Sequence, residues 1–96
     1  MELIGTLTKK LDINEFQTEQ GIKRSQEFII NDNSPKFSKN VCFKITNEEL
    51  MASFASVPIG TTMKVFFSPE SREYEGRYYT NLKCWKIQTL EQLGGK

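Results

Sequence analysis

The sequence predicts a mainly β protein: a five-stranded OB-fold Greek-key barrel with one short helix between the third and fourth strands. Three observations carry this expectation. Apolar and polar residues alternate over five separate stretches at the two-residue period of a strand. One helical pattern, Leu50, Phe54 and Val57, lies between the third and fourth of those stretches. The segment after the first stretch contains Gly21 and no apolar helical stripe, which argues against a ferredoxin-like order with a helix at that point.

Residues 2–11 are the first strand. Leu3 and Leu7 share a face, and Gly5 between them permits a bend or bulge. Residues 12–21 are polar, with Phe16 the one aromatic, and read as a loop. Residues 22–31 form a second strand that turns apolar at Phe28-Ile29-Ile30. Asp32-Asn33-Ser34-Pro35-Lys36 carries turn chemistry. Residues 40–45 are the third strand, with Val41, Phe43 and Ile45 on one face and Cys42 and Lys44 on the other. Thr46 is the expected helix cap, with Glu49 three residues on as in a capping box. Glu48 and Glu49 suit the positive end of the helix dipole. Pro58 and Gly60 end the helix.

Residues 62–68 are the fourth strand, with Met63, Val65 and Phe67 inward, and residues 77–88 the fifth. In the fifth, Arg77, Tyr79, Asn81, Lys83 and Trp85 face one way, and Tyr78, Thr80, Leu82 and Cys84 the other, toward the core. The expected core is Phe28, Val41, Phe43, Val65, Phe67 and Leu82. Residues 1–90 are expected to form a single OB-fold domain, with 91–96 as a short flexible tail.

Composition narrows the chemistry. There is no histidine, so the commonest general base and metal ligand are missing. Cys42 and Cys84 stand alone in separate strands and form no metal-binding pair; both are expected to be buried free thiols. Helix capping and a solvated turn account for the paired carboxylates Glu48-Glu49 and Glu73/Glu75. No enzyme activity and no cofactor are expected. No apolar run approaches the roughly 20 residues of a membrane span. The first residues lack the basic start and apolar stretch of a signal peptide, so no membrane partner and a cytoplasmic location are expected.

Net charge is only +1, but its distribution is uneven. Residues 21–45 hold five cations against two acids, and residues 71–96 hold five against three. In an OB barrel these segments map onto one face, strands two and three, framed by the loops between strands one and two and between four and five. Lys23, Arg24 and Lys44 fall on the central strands, and Phe37 and Lys39 in the loop joining them. Arg72, Tyr74 and Arg77 fall in the last hairpin, followed by Tyr79, Lys83 and Trp85. Cations neutralise phosphates and flat rings stack on unstacked bases, so these eleven residues are the candidate nucleic-acid contacts. Two structural readings compete at particular positions. Glu73 and Glu75 could pair with the hairpin cations, and Trp85 could cover the barrel end or an interface between subunits.

Several segments carry a resemblance. Val41-Cys42-Phe43-Lys44-Ile45, the helix over residues 48–56, Gly60 before a strand, and Tyr74-Glu75-Gly76-Arg77-Tyr78-Tyr79-Thr80 are similar to the bacterial single-stranded-DNA-binding protein pattern. A nearer resemblance is to small proteins of unknown function in bacteria and their phages. It rests on Glu2 to Gly5, Gln26-Glu27-Phe28, Val41-Cys42-Phe43, the long block Glu70 to Tyr78, and Lys83 to Lys86. The resemblance implies an OB-fold and a role in DNA replication, recombination or repair. The final Leu90-Glu91-Gln92-Leu93-Gly94-Gly95-Lys96 departs from the acidic, apolar-tipped tail of single-stranded-DNA-binding proteins, so recruitment through such a tail is not implied.

The functional expectation is sequence-tolerant binding of single-stranded DNA, with RNA able to use the same face. The alternative is an OB-fold protein-interaction module, a subunit or adaptor in a replication or phage assembly. Exposed strand edges and a modest core predict a homo-oligomer, with Phe66 and Trp85 as contact residues and replication proteins as further partners.

Overall fold

The computed structural model describes residues 1–89, so the expected tail over residues 91–96 lies outside them. Six strands and one helix follow in the order β1 (Glu2–Lys10), β2 (Asn14–Thr18), β3 (Gly21–Asn31), β4 (Asn40–Ile45), α1 (Glu48–Phe54), β5 (Thr62–Tyr74) and β6 (Arg77–Thr89). The fold class is the expected one, a mainly β barrel with a single helix after the central strands. The sixth strand is β2, which occupies the segment read as a loop. It pairs antiparallel with residues 21–25 of β3, from Asn14↔Ser25 to Thr18↔Gly21. Gly21 takes φ 115, where a side chain is disfavoured, and the Thr18 hydroxyl donates to the Gly21 carbonyl at 2.8 Å. Most of β2 is exposed, so no apolar alternation marked it as a strand.

The barrel closes through the sequence β1-β5-β6-β4-β3 and back to β1. All neighbours are antiparallel except β4 and β6, which run parallel over Lys44↔Lys83 and Ile45↔Cys84. β1 serves two partners. Its first half pairs with β5 and its second half with β3. Gly5 is buried where the chain passes from one partner to the other, and a Cβ there would collide with the Asn31 carbonyl and the Ile30 side chain. The glycine is thus required for close approach; the irregularity in β1 falls later, between Leu7 and Lys9.

Leu7, Phe28, Ile30, Phe43, Ile45, Met63 and Val65 are fully buried in the barrel. Each contributes about 1.5–3 kcal/mol by leaving water. Phe28 contacts both Phe43 and Phe54, with ring centroids 5.6 and 4.7 Å apart. Phe54 and Met51 are the buried face of α1. Lys10 of β1 donates from Nζ to the Phe54 carbonyl at 2.9 Å, placing a cation at a helix C-terminus whose last turn has no basic residue.

Four expectations are corrected. The helix cap is Asn47, whose side chain accepts from the Leu50 amide at 3.0 Å; Leu50 stands three residues on, so no capping box forms with Thr46 and Glu49. Val41, Phe67 and Leu82 are partly buried against the core rather than within it. Cys42 is exposed, because strand alternation turns it outward between Val41 and Phe43. Tyr78 and Thr80 are exposed because β5 and β6 run on past the barrel, where neither face of the hairpin has a core to meet.

Candidate nucleic-acid interface

Two hairpin arms extend from the barrel. One is β2 with residues 21–25 of β3; the other is residues 68–74 of β5 with 77–83 of β6. Cross-strand partners share a face, so pairing decides which side chains act together.

In the first arm, Phe16 pairs with Lys23 and Glu15 with Arg24. Phe16 and Lys23 therefore occupy one face. Arg24 lies on the other, with Nε 2.8 Å from Glu15 Oε2 and Nη1 3.5 Å from Glu48 Oε1. The hydrogen bond to Glu15, aided by the charges of Glu15 and Glu48, pushes the guanidinium pKa up. Arg24 thus braces the arm against α1, away from the Phe16 face.

The second arm turns at Glu75 and Gly76, both at positive φ (51 and 80), as a two-residue type I′ turn requires. The pairs Tyr74↔Arg77, Arg72↔Tyr79, Glu70↔Asn81 and Ser68↔Lys83 share one face. The opposite face holds Glu73↔Tyr78, Ser71↔Thr80 and Pro69↔Leu82, with the Ser71 and Thr80 hydroxyls 3.0 Å apart. Glu73 is therefore separated from the cations by alternation. Among the described residues no ion pair joins Glu73 or Glu75 to Arg72 or Arg77.

The two arms face each other across a groove. Phe16 lines it from the first arm; Glu70, Arg72, Asn81 and Lys83 line it from the second; Lys44 and Thr46 complete a cavity of about 320 Å³. A second cavity of about 330 Å³ adjoins it, sharing Thr46, Glu70 and Lys83 and reaching Asn47, Ser68 and Trp85. The floor is the parallel pair Lys44↔Lys83, with Glu27 opposite Lys44 on β3.

Trp85 owes its position to a bulge. Phe66 pairs with Lys86 and Phe67 with Cys84, which leaves Trp85 without a cross-strand partner and 55% exposed. Its ring lies 5.4 Å from that of Phe66, and the Lys64 and Lys86 ammonium groups stand 5.4 and 5.3 Å from the Phe66 centroid. Trp85 thus borders both the groove and an outer cationic-aromatic patch.

Of the sequence candidates, Lys44, Arg72, Lys83 and Trp85 line the two cavities. Tyr74, Arg77 and Tyr79 continue the same face toward the tip of the second arm, and Lys23 sits beside Phe16. Phe37, 76% exposed, and Lys39 lie in the connection from β3 to β4, at the far end of that ladder from Lys44. There the Asp32 carboxylate accepts from the Lys39 and Ser34 amides at 3.0 and 3.1 Å, which lowers its pKa. Phe16, Thr46, Glu70 and Asn81 join the site although they were not among the candidates. A lone aromatic two residues before a Thr-x-x-Gly turn was the available signal for Phe16.

The thiols are poorly ionised. Burial pushes the Cys84 thiol up to about 11, and partial desolvation by its neighbours together with Glu27 raises that of the exposed Cys42. No helix among the described residues is long and apolar enough to cross a membrane.

Residues 2–88 match the family model described as a domain of unknown function (DUF3127), and the chain belongs to that family. No curated protein matches it. Among solved structures it is similar to the mitochondrial single-stranded DNA binding protein Rim1 of S. cerevisiae in two crystal forms. The TM-scores are 0.73 and 0.70 at 15% and 16% identity, covering 94% of this chain and 92% and 91% of those chains. The small single-stranded DNA-binding protein of Streptomyces coelicolor follows at TM-score 0.50 and 10% identity, covering 93% of this chain and 91% of that one. At these identities the likeness shows a common OB-fold.

Proposed function

We propose that this protein binds single-stranded DNA, largely without regard to sequence, in the groove between its two hairpin arms, and that it does so in replication, recombination or repair. The observation that carries this reading is the sorting of the second arm: Arg72, Tyr74, Arg77 and Tyr79 on one face and Glu73 on the other. Cations on that face are free to neutralise phosphates and release their counterions. Rings on the same face and across the groove, Tyr74, Tyr79 and Phe16, offer stacking surfaces that any base can use. The ligands of the structurally similar proteins, named for single-stranded DNA, support the same reading. The binding role is non-catalytic. It takes residues 1–90 as one cytoplasmic domain, acting as a homo-oligomer with the Phe66–Trp85 patch as the contact between copies.

A fluorescence titration with mixed-sequence single strands at two salt concentrations tests the reading. Quenching of the aromatic emission is expected, with affinity that falls as salt rises. Arg72→Ala combined with Tyr74→Ala should weaken binding by about 10- to 100-fold and lower the salt slope by about one. Unchanged emission together with no gel shift at low salt would refute the proposal.

A further inference from the structure

Glu70 stands out within the groove. Together with Thr46 and Lys83 it lines both cavities, so it sits at their junction. It shares the cavity walls with Lys44, Arg72 and Lys83, yet among the described residues its carboxylate makes no ion pair and no hydrogen bond. Its cross-strand partner is Asn81, on the same face. A carboxylate placed among cations but held by none is poorly explained as a brace for the arm. Arg24 with Glu15 and Glu48 shows what a brace looks like here.

Building on the single-strand reading of this groove, we infer that Glu70 selects the base that lies at the junction. An ionised carboxylate only accepts hydrogen bonds, and it repels phosphate. The backbone of a bound strand is therefore held to the flanking cations Arg72 and Lys83, and a base rather than a phosphate faces Glu70. Cytosine presents an amino donor on its pairing edge, as does adenine, and guanine presents both a ring N–H and an amino group. Thymine presents two carbonyl oxygens on either side of a single N–H, and those oxygens meet the carboxylate with like partial charge. The Asn81 amide, which can donate as well as accept, suits the ring nitrogen or carbonyl beside the amino group. The groove accepts any single strand but disfavours thymine at this one position.

The test compares short dC and dT oligomers of equal length at one salt concentration, on the full chain and on Glu70→Gln. The full chain should bind dC about tenfold more tightly than dT. Glu70→Gln keeps the side-chain shape and sits on an exposed strand, and its amide can present either a donor or an acceptor. It should raise affinity for both oligomers by removing a negative charge and bring their ratio to within about twofold. The ratio is the readout, because a carboxylate that merely trims the groove's positive charge would shift both affinities equally and leave the ratio unchanged. Equal binding of dC and dT by the full chain, or an unchanged ratio in the variant, would overturn the inference while leaving the single-strand reading intact. Binding of neither oligomer would remove both.

Discussion

The two arms are both antiparallel hairpins carrying cations and aromatic residues, and they differ in how those cations are held. In the β2–β3 arm, Arg24 is engaged at 2.8 Å by Glu15 and at 3.5 Å by Glu48, which ties the hairpin to the helix. In the β5–β6 arm, no ion pair among the described residues engages Arg72 or Arg77, and Glu73 is turned to the far face. The residue types are nearly the same; the parity of their positions is not. A cation in register with a carboxylate contributes to the fold, and one in register with a ring leaves its charge available to a ligand.

Three variants probe this contrast. Reversing the free cations with Arg72→Glu and Arg77→Glu should have the largest effect, a loss of at least about 100-fold in single-strand affinity and a salt slope smaller by about two. Gel shifts across a salt series would show it, and a loss no greater than that of a distant lysine would move the site off this arm. Phe16→Ala comes next. Removing one stacking ring costs about 1–3 kcal/mol of binding, and the side chain is 47% exposed, so the thermal unfolding midpoint should hardly move. Titration beside a melting curve separates these; a large drop in Tm would make Phe16 a structural residue of the arm. Arg24→Gln should have the smallest effect on binding, within about twofold, with a slight fall in Tm from the lost brace. An affinity loss as large as that from Arg72 and Arg77 would erase the distinction between the arms.

Much of this arrangement was legible in the sequence, and the gaps have one main physical source. Alternation in the fifth predicted strand put Asn81, Lys83 and Trp85 on a common face, and the structure lines its groove with them. The apolar runs around Phe28, Phe43 and Val65 identified the barrel interior, where all three are fully buried. β2 was not legible because both its faces meet water, and a strand without an apolar face has no period to read. The place of Phe16 in the site was hidden for the same reason. Without β2 there was no register to place Lys23 on the Phe16 face and Arg24 on the Glu15 face. The sequence also could not show where the barrel stops. Tyr78 and Thr80 keep the inward parity of Cys84 but lie beyond the region where there is an interior to reach. The Trp85 bulge was invisible likewise, since it depends on how β6 aligns with β5 rather than on either strand alone.

The parallel contact between β4 and β6 has a mechanical consequence. It spans two residue pairs, whereas every other junction around the barrel spans at least four. One of those two pairs sets Lys44 against Lys83, like charges directly abreast. The wall is therefore stitched most thinly along the floor of the groove. If the cylinder gapes, that seam parts at the lowest cost, and a polyanion laid across it would act as a clasp.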